Sequence, residues 1–129
     1  MTNIYPQKSS ILSLCQKLNL QPPDPFDQDW EYISVDPHRI DAFLSLYKTD
    51  QSLTENERMT LGILIIGSFD DALNDEIFSE DLWHDAWATL KENFALHAHT
   101  FDYWAHWEED DLSNCFAISE KLRMALTTS

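Results

Sequence analysis

The chain has 129 residues, enough for one hydrophobic core and too few for two of useful size. Hydrophobic residues make up 43% and five residues are tryptophan, a composition that excludes a disordered chain. Eight Lys and Arg against 23 Asp and Glu leave a formal charge of −15, where a small domain usually carries a magnitude of about 2–8; phosphate backbones and anionic membranes are repelled by such a chain, which argues against nucleic acid or a membrane as its partner.

The first predicted helix runs from about Ser10 to Leu20, with Ile11, Leu14, Cys15 and Leu18 on one face. Gln21-Pro22-Pro23-Asp24-Pro25 holds three of the five prolines and reads as a linker. Trp30–Val35 alternates too poorly for a strand and is assigned as loop. Asp36-Pro37 has the form of an N-cap followed by proline at the first helical position. Behind it, Ile40, Phe43, Leu44 and Tyr47 fall at i, i+3, i+4 and i+7, an amphipathic face.

Thr54-Glu55-Asn56-Glu57 is a capping box and opens a helix expected to reach about Leu73. Within it Leu61, Ile63, Leu64, Ile65 and Ile66 point all round the axis, which marks a buried central helix. Both glycines, Gly62 and Gly67, lie in this helix. Close approach of neighbouring helices is expected to offset their propensity cost of about 1 kcal/mol each.

Ser79 caps a helix over roughly Glu80–Glu92, with Trp83, Ala86, Trp87 and Leu90 inward and Asp81, Asp85 and Glu92 outward. A further helix is expected around His99–Trp107, burying Phe101, Trp104 and Ala105 and presenting His99, Asp102, Tyr103 and His106 on its other side. After the acidic run Glu108–Asp111, a last helix near Ser119–Leu126 offers Leu122, Ala125 and Leu126 to the core. The predicted fold is all-α: a single compact domain over residues 1–129, an orthogonal bundle of about six helices around a buried central one. Residues 1–22 form its N-terminal helix and proline-rich linker, and 36–126 its main helical body.

The apolar run Leu61–Ile66 falls far short of the ~20 residues that a bilayer requires. Leu12-Ser13-Leu14-Cys15 is a poor lipoprotein cleavage site, since Leu14 is large and no long apolar segment precedes it. A soluble, cytoplasmic protein is therefore expected. Cys15 and Cys115 match no zinc or redox spacing and read as small core residues in a reducing compartment, with a disulfide as the alternative.

Catalytic signatures are weak. Gly62-x-x-x-x-Gly67-Ser68 has the glycine spacing of a phosphate loop but lacks the Lys-Ser/Thr that follows, and it lies inside an apolar helix. His97-Ala98-His99 with His106 is the best metal candidate, yet residues i and i+2 of a helix point about 200° apart. His99 and His106 share a face but stand about 10 Å apart along the axis, whereas zinc needs each nitrogen within about 2.1 Å. Solvated or hydrogen-bonded histidines are the simpler reading. No serine is flanked by the glycines of a nucleophile elbow. No enzyme and no cofactor are expected.

The charge distribution is more informative. Between Asp70 and Asp111 there are thirteen carboxylates and one basic side chain, Lys91, so this stretch carries twelve of the fifteen net charges. Asp24, Asp27, Asp29, Glu31 and Asp36 add a second acidic stretch without a basic residue. A merely solvated face is better served by alternating signs. A field of one sign instead steers a cationic partner. The residues expected to meet it are Asp70, Asp71, Asp75, Glu76, Asp81, Asp85, Asp102, Glu108, Glu109, Asp110 and Asp111. Tyr103 and Trp107, at i and i+4, are expected as aromatic anchors beside them, with core packing as the alternative.

At Phe69-Asp70-Asp71, Trp83, Trp87 with Leu90, Leu96-His97, Thr100, Tyr103-Trp104, Phe116, Ile118-Ser119 and Arg123, the chain resembles a known group of proteins. They are the small acidic α-helical immunity proteins of bacterial contact-dependent growth inhibition and related polymorphic toxin systems. The likeness spans about residues 55–126. It implies that the chain binds the C-terminal toxin domain of an effector in the cytosol and neutralises it by occlusion, a basic nuclease being the expected target and a ribonuclease the favoured one. The alternatives are a nucleic-acid mimic, with the same carboxylates spaced like phosphates along a rod, or another acidic protein-binding module, and, less favoured, a metal-dependent hydrolase built on His97, His99 or His106.

Overall fold

The computed structural model describes residues 5–22 and 34–128. In chain order these form α1 (Lys8–Leu18), α2 (Ile40–Thr49), α3 (Glu55–Asn74), α4 (Glu80–Lys91), α5 (Phe94–Ala105), a 3-10 turn at Leu112–Asn114, and α6 (Ser119–Thr128). No strand occurs among the described residues. Trp30–Ile33 and Pro23–Pro25 lie outside them.

The expected central helix is α3. Its capping box is complete: Thr54 Oγ1 accepts from Glu57 N at 3.1 Å, and Glu57 Oε1 accepts from Thr54 N at 3.0 Å. The helix then runs buried on every side from Met59 to Phe69, because α1, α2, α4 and α5 all pack against it. A Cβ on Gly62 would stand 2.7 Å from His97 Nδ1, and one on Gly67 would stand 2.7 Å from Val35 Cγ1 and 3.4 Å from Trp104. Both glycines therefore mark places where a neighbour rests directly on the α3 backbone. A helical glycine costs about 1 kcal/mol, less than the roughly 1.5–3 kcal/mol gained by fully burying one large apolar side chain.

The other helices bury the faces that their spacing predicts. Leu14, Cys15 and Leu18 of α1 join Ile40, Phe43, Leu44 and Tyr47 of α2 in the core. Glu57 ties α1 to α3 by accepting from Ser13 Oγ at 2.7 Å, with Lys17 Nζ at 3.7 Å. Burial opposes the Glu57 charge, but the amide and hydroxyl of Thr54, Ser13 and Lys17 together hold its carboxyl below the usual range. On the other side an aromatic chain runs from Phe69 to Trp83 at 5.2 Å, on to Trp87 at 6.3 Å and to Phe101 at 5.0 Å, binding α3, α4 and α5.

Two expected helix starts move. Asp36-Pro37 is not the cap of α2: Asp36 Oδ1 accepts from His38 N at 2.9 Å and its carbonyl from Arg39 N at 3.1 Å, so the pair forms a turn and the helix begins at Ile40. The Asp36 N–H donates to Ser68 Oγ at 3.0 Å, which pins that turn to α3. Helix α5 starts at Phe94, five residues before the predicted His99, after a connection of only Glu92-Asn93. It also stops at Ala105, so Trp107 lies beyond it.

Candidate protein-binding surface

Most of the eight basic side chains are engaged by groups of the chain itself. Lys17 pairs with Asp50 at 2.9 Å, Lys48 with Asp85 at 2.5 Å, and Lys121 with Glu80. Arg39 donates to Leu18 O, Arg58 to Tyr47 O and Asp50 O, and Arg123 to Ala105 O and Glu109 O. Six of the eight are thus engaged, leaving Lys8 and Lys91. Among the described residues, Asp75, Glu76, Asp81, Asp102, Glu108 and Asp110 are exposed and carry no ion pair.

The carboxylates predicted to face a partner divide by this test. Asp70 is half-buried and structural: it accepts from Ile118 N at 3.0 Å and so caps the start of α6 from another helix. Burial raises its pKa, opposed by the amides of Ile118 and Ala117. Burial, Asp70 and Asp75 likewise push the neighbouring Asp71 upward. Asp85 is committed to Lys48, joining α4 to α2. Asp75 and Glu76, at the end of α3, and Asp81, in the first turn of α4, stay free at the surface.

The second group surrounds the end of α5. Arg123 on α6 organises it by donating from Nε to Ala105 O at 2.7 Å, and from Nη2 to His106 O and to Glu109 O at 2.8 Å. A cation placed on the last carbonyls of a helix satisfies acceptors that have no intrahelical donor. The guanidinium also stacks 5.5 Å from the Trp107 ring, which remains 44% exposed. His106 takes a left-handed conformation, φ 53°, and turns the chain out of the helix. Tyr103 and Trp107 are therefore both exposed, as an anchoring role requires, but they do not form the expected i, i+4 pair on one helix.

Within the acidic run the residues have different tasks. Glu109 Oε1 accepts from Asp111 N at 3.1 Å, and Asp111 Oδ1 accepts from Ser113 N at 3.0 Å and Ser113 Oγ at 2.7 Å. Those two bonds from Ser113 hold the Asp111 carboxyl below its usual range. Glu109 and Asp111 shape the loop, whereas Glu108 and Asp110 point their charge at solvent.

His97 and His99, weighed above as metal candidates, are placed apart. His97 is fully buried with Nε2 2.7 Å from Tyr47 Oη, a pair that sequence reasoning missed, while His99 is exposed. Among the described residues no three His, Cys, Asp or Glu side chains are placed to hold one ion. Cys15 and Cys115 are both free thiols. No helix among the described residues is long and apolar enough to cross a membrane. Comparison with protein-family models, with curated proteins and with solved structures finds no match.

Proposed function

We propose that this chain is an immunity protein that binds a basic toxin domain, a nuclease with ribonuclease favoured, and neutralises it by covering its active site with the acidic surface. The observation that carries the reading is the partition of charge: six of the eight basic side chains are engaged by groups of the chain itself, while Asp75, Glu76, Asp81, Asp102, Glu108 and Asp110 stand exposed without an ion pair among the described residues. Exposed Tyr103 and Trp107 beside the second acidic group supply the aromatic component of a binding hot spot. A nucleic-acid mimic needs its carboxylates in a row. Here they come from four places in the chain, after α3, in the first turn of α4, on α5 and after α5, and not from one continuous segment, which supports recognition of a folded cationic surface.

The test is the triple charge reversal Asp102→Lys, Glu108→Lys and Asp110→Lys, at positions with no internal bond to lose. Partner captured from the host's own lysate at low salt is identified, and its association with both proteins is timed. A basic domain whose toxic activity the chain suppresses is expected, with association slowed about 10- to 1000-fold by the reversal at low salt and its salt dependence flattened. A partner without such a domain, or an association rate indifferent to both reversal and salt, would overturn the assignment.

A further inference from the structure

A surface groove of about 470 Å³ opens at the end of α5, lined by His99, Asp102, Tyr103, His106, Glu108 and Phe116. Its lining combines two features rarely needed together. Phe116 packs 4.6 Å from Trp104, 5.5 Å from Tyr103 and 5.8 Å from His106, which fixes an aromatic wall. Asp102 from the helix and Glu108 from the loop bring two exposed carboxylates to the same groove, neither with an ion pair among the described residues. The His106 Nδ1 is shielded from solvent with no hydrogen-bond partner among the described residues.

We propose that this groove is an arginine slot, receiving one guanidinium side chain of the basic partner; the proposal rests on the functional reading above and specifies its contact. A planar guanidinium can stack on the aromatic wall and still present its fork of donors to both carboxylates. A lysine ammonium satisfies the charge but is compact, strongly hydrated and unable to stack. The molecule already pairs a guanidinium with an aromatic ring at the end of α5, where Arg123 lies over Trp107 while donating to three backbone carbonyls.

The experiment titrates the whole chain, observed by NMR, with three capped peptides: Ac-Gly-Arg-Gly-NH2, its lysine counterpart, and its citrulline counterpart, which keeps the shape and loses the charge. Saturable shifts at Tyr103, Phe116, Asp102 and Glu108 are expected. Arginine should bind more tightly than lysine by about 3- to 10-fold, because only the guanidinium adds planar stacking and bidentate donation to the charge, and citrulline should bind more weakly than either. Tyr103→Ala should level arginine with lysine, Asp102→Asn should weaken both, and Asp41→Asn on α2 should change neither. Equal binding of arginine and lysine by the unaltered chain, or shifts located elsewhere, would sink the slot. If a partner is captured and inhibited but arginine leaves the groove resonances unmoved, the slot falls and the immunity reading survives. If arginine binds as expected and no basic partner exists, the slot stands and that reading falls.

Discussion

His97 shows how a single polar residue can be shaped by contacts distant in sequence. It sits at i, i+4 and i+7 with Phe101 and Trp104, inside α5, against the bare backbone of Gly62 and the hydroxyl of Tyr47. Burial, with a contribution from the nearby Arg58 charge, lowers its pKa from 6.5 to about 4. In the unfolded chain the ring takes a proton as pH falls through 6.5, whereas in the fold it resists until about 4. The stability that it contributes is therefore complete above pH 6.5 and is lost as pH falls towards 4, by about 3 kcal/mol in all. Urea unfolding at pH 7 and pH 4.5 should reveal a loss that His97→Gln, still able to bond Tyr47, reduces by about 2–3 kcal/mol. Parallel losses in both proteins would show that another group is responsible.

At the scale of elements, the helix C-termini invert the usual placement of glycine. The three left-handed residues that end helices are Asn19, Glu76 and His106, and no glycine has positive φ. The two glycines are instead spent on close packing inside α3. At the end of α3, Ile77 N donates to Ala72 O at 2.9 Å and Glu76 N to Leu73 O at 3.3 Å, a Schellman termination with glutamate where glycine is the unstrained choice. Glu76→Gly is expected to raise stability by up to about 1 kcal/mol, and Glu76→Ala to bring no such gain, in paired denaturant melts. If both substitutions act alike, the strain at φ 59° is not what Glu76 contributes.

Element starts with their own side-chain caps were legible in the sequence. Thr54 with Glu57 and Ser79 mark α3 and α4 because both halves of each signal lie within four residues. Helix α5 was misread at both ends for the opposite reason. Asn93 makes no side-chain cap bond, so its start carries no local signature. Its end is set by Arg123, which occupies the Ala105 and His106 carbonyls from α6. The groove at the end of α5 depends on that same termination, since continuing the helix would carry Glu108 along the α5 axis instead of into the lining it shares with Phe116.

For the molecule as a whole, −15 is a cost to folding. With most basic groups engaged by particular partners of the chain, the remaining exposed carboxylates repel one another with little local compensation. Raising NaCl from 0.01 to 0.15 M shortens the screening length from about 30 to about 8 Å. The melting temperature should therefore rise over this interval and level off near 1 M. A flat or falling curve would mean that repulsion between the acidic groups is not a destabilising factor.

The sequence by itself determined the all-helical class, the buried central helix and the excess of negative charge, because periodicity, capping boxes and charge counts are local or additive properties. Which carboxylates remain available was decided only by the tertiary structure. Asp70 and Asp85 are consumed by Ile118 and Lys48, and Asp102 and Glu108 line one groove with Phe116, through packing that no linear spacing encodes. Whether a carboxylate serves the fold or a partner depends on which donor lies within about 3 Å of it, and the packing of α3, α5 and α6 sets that distance.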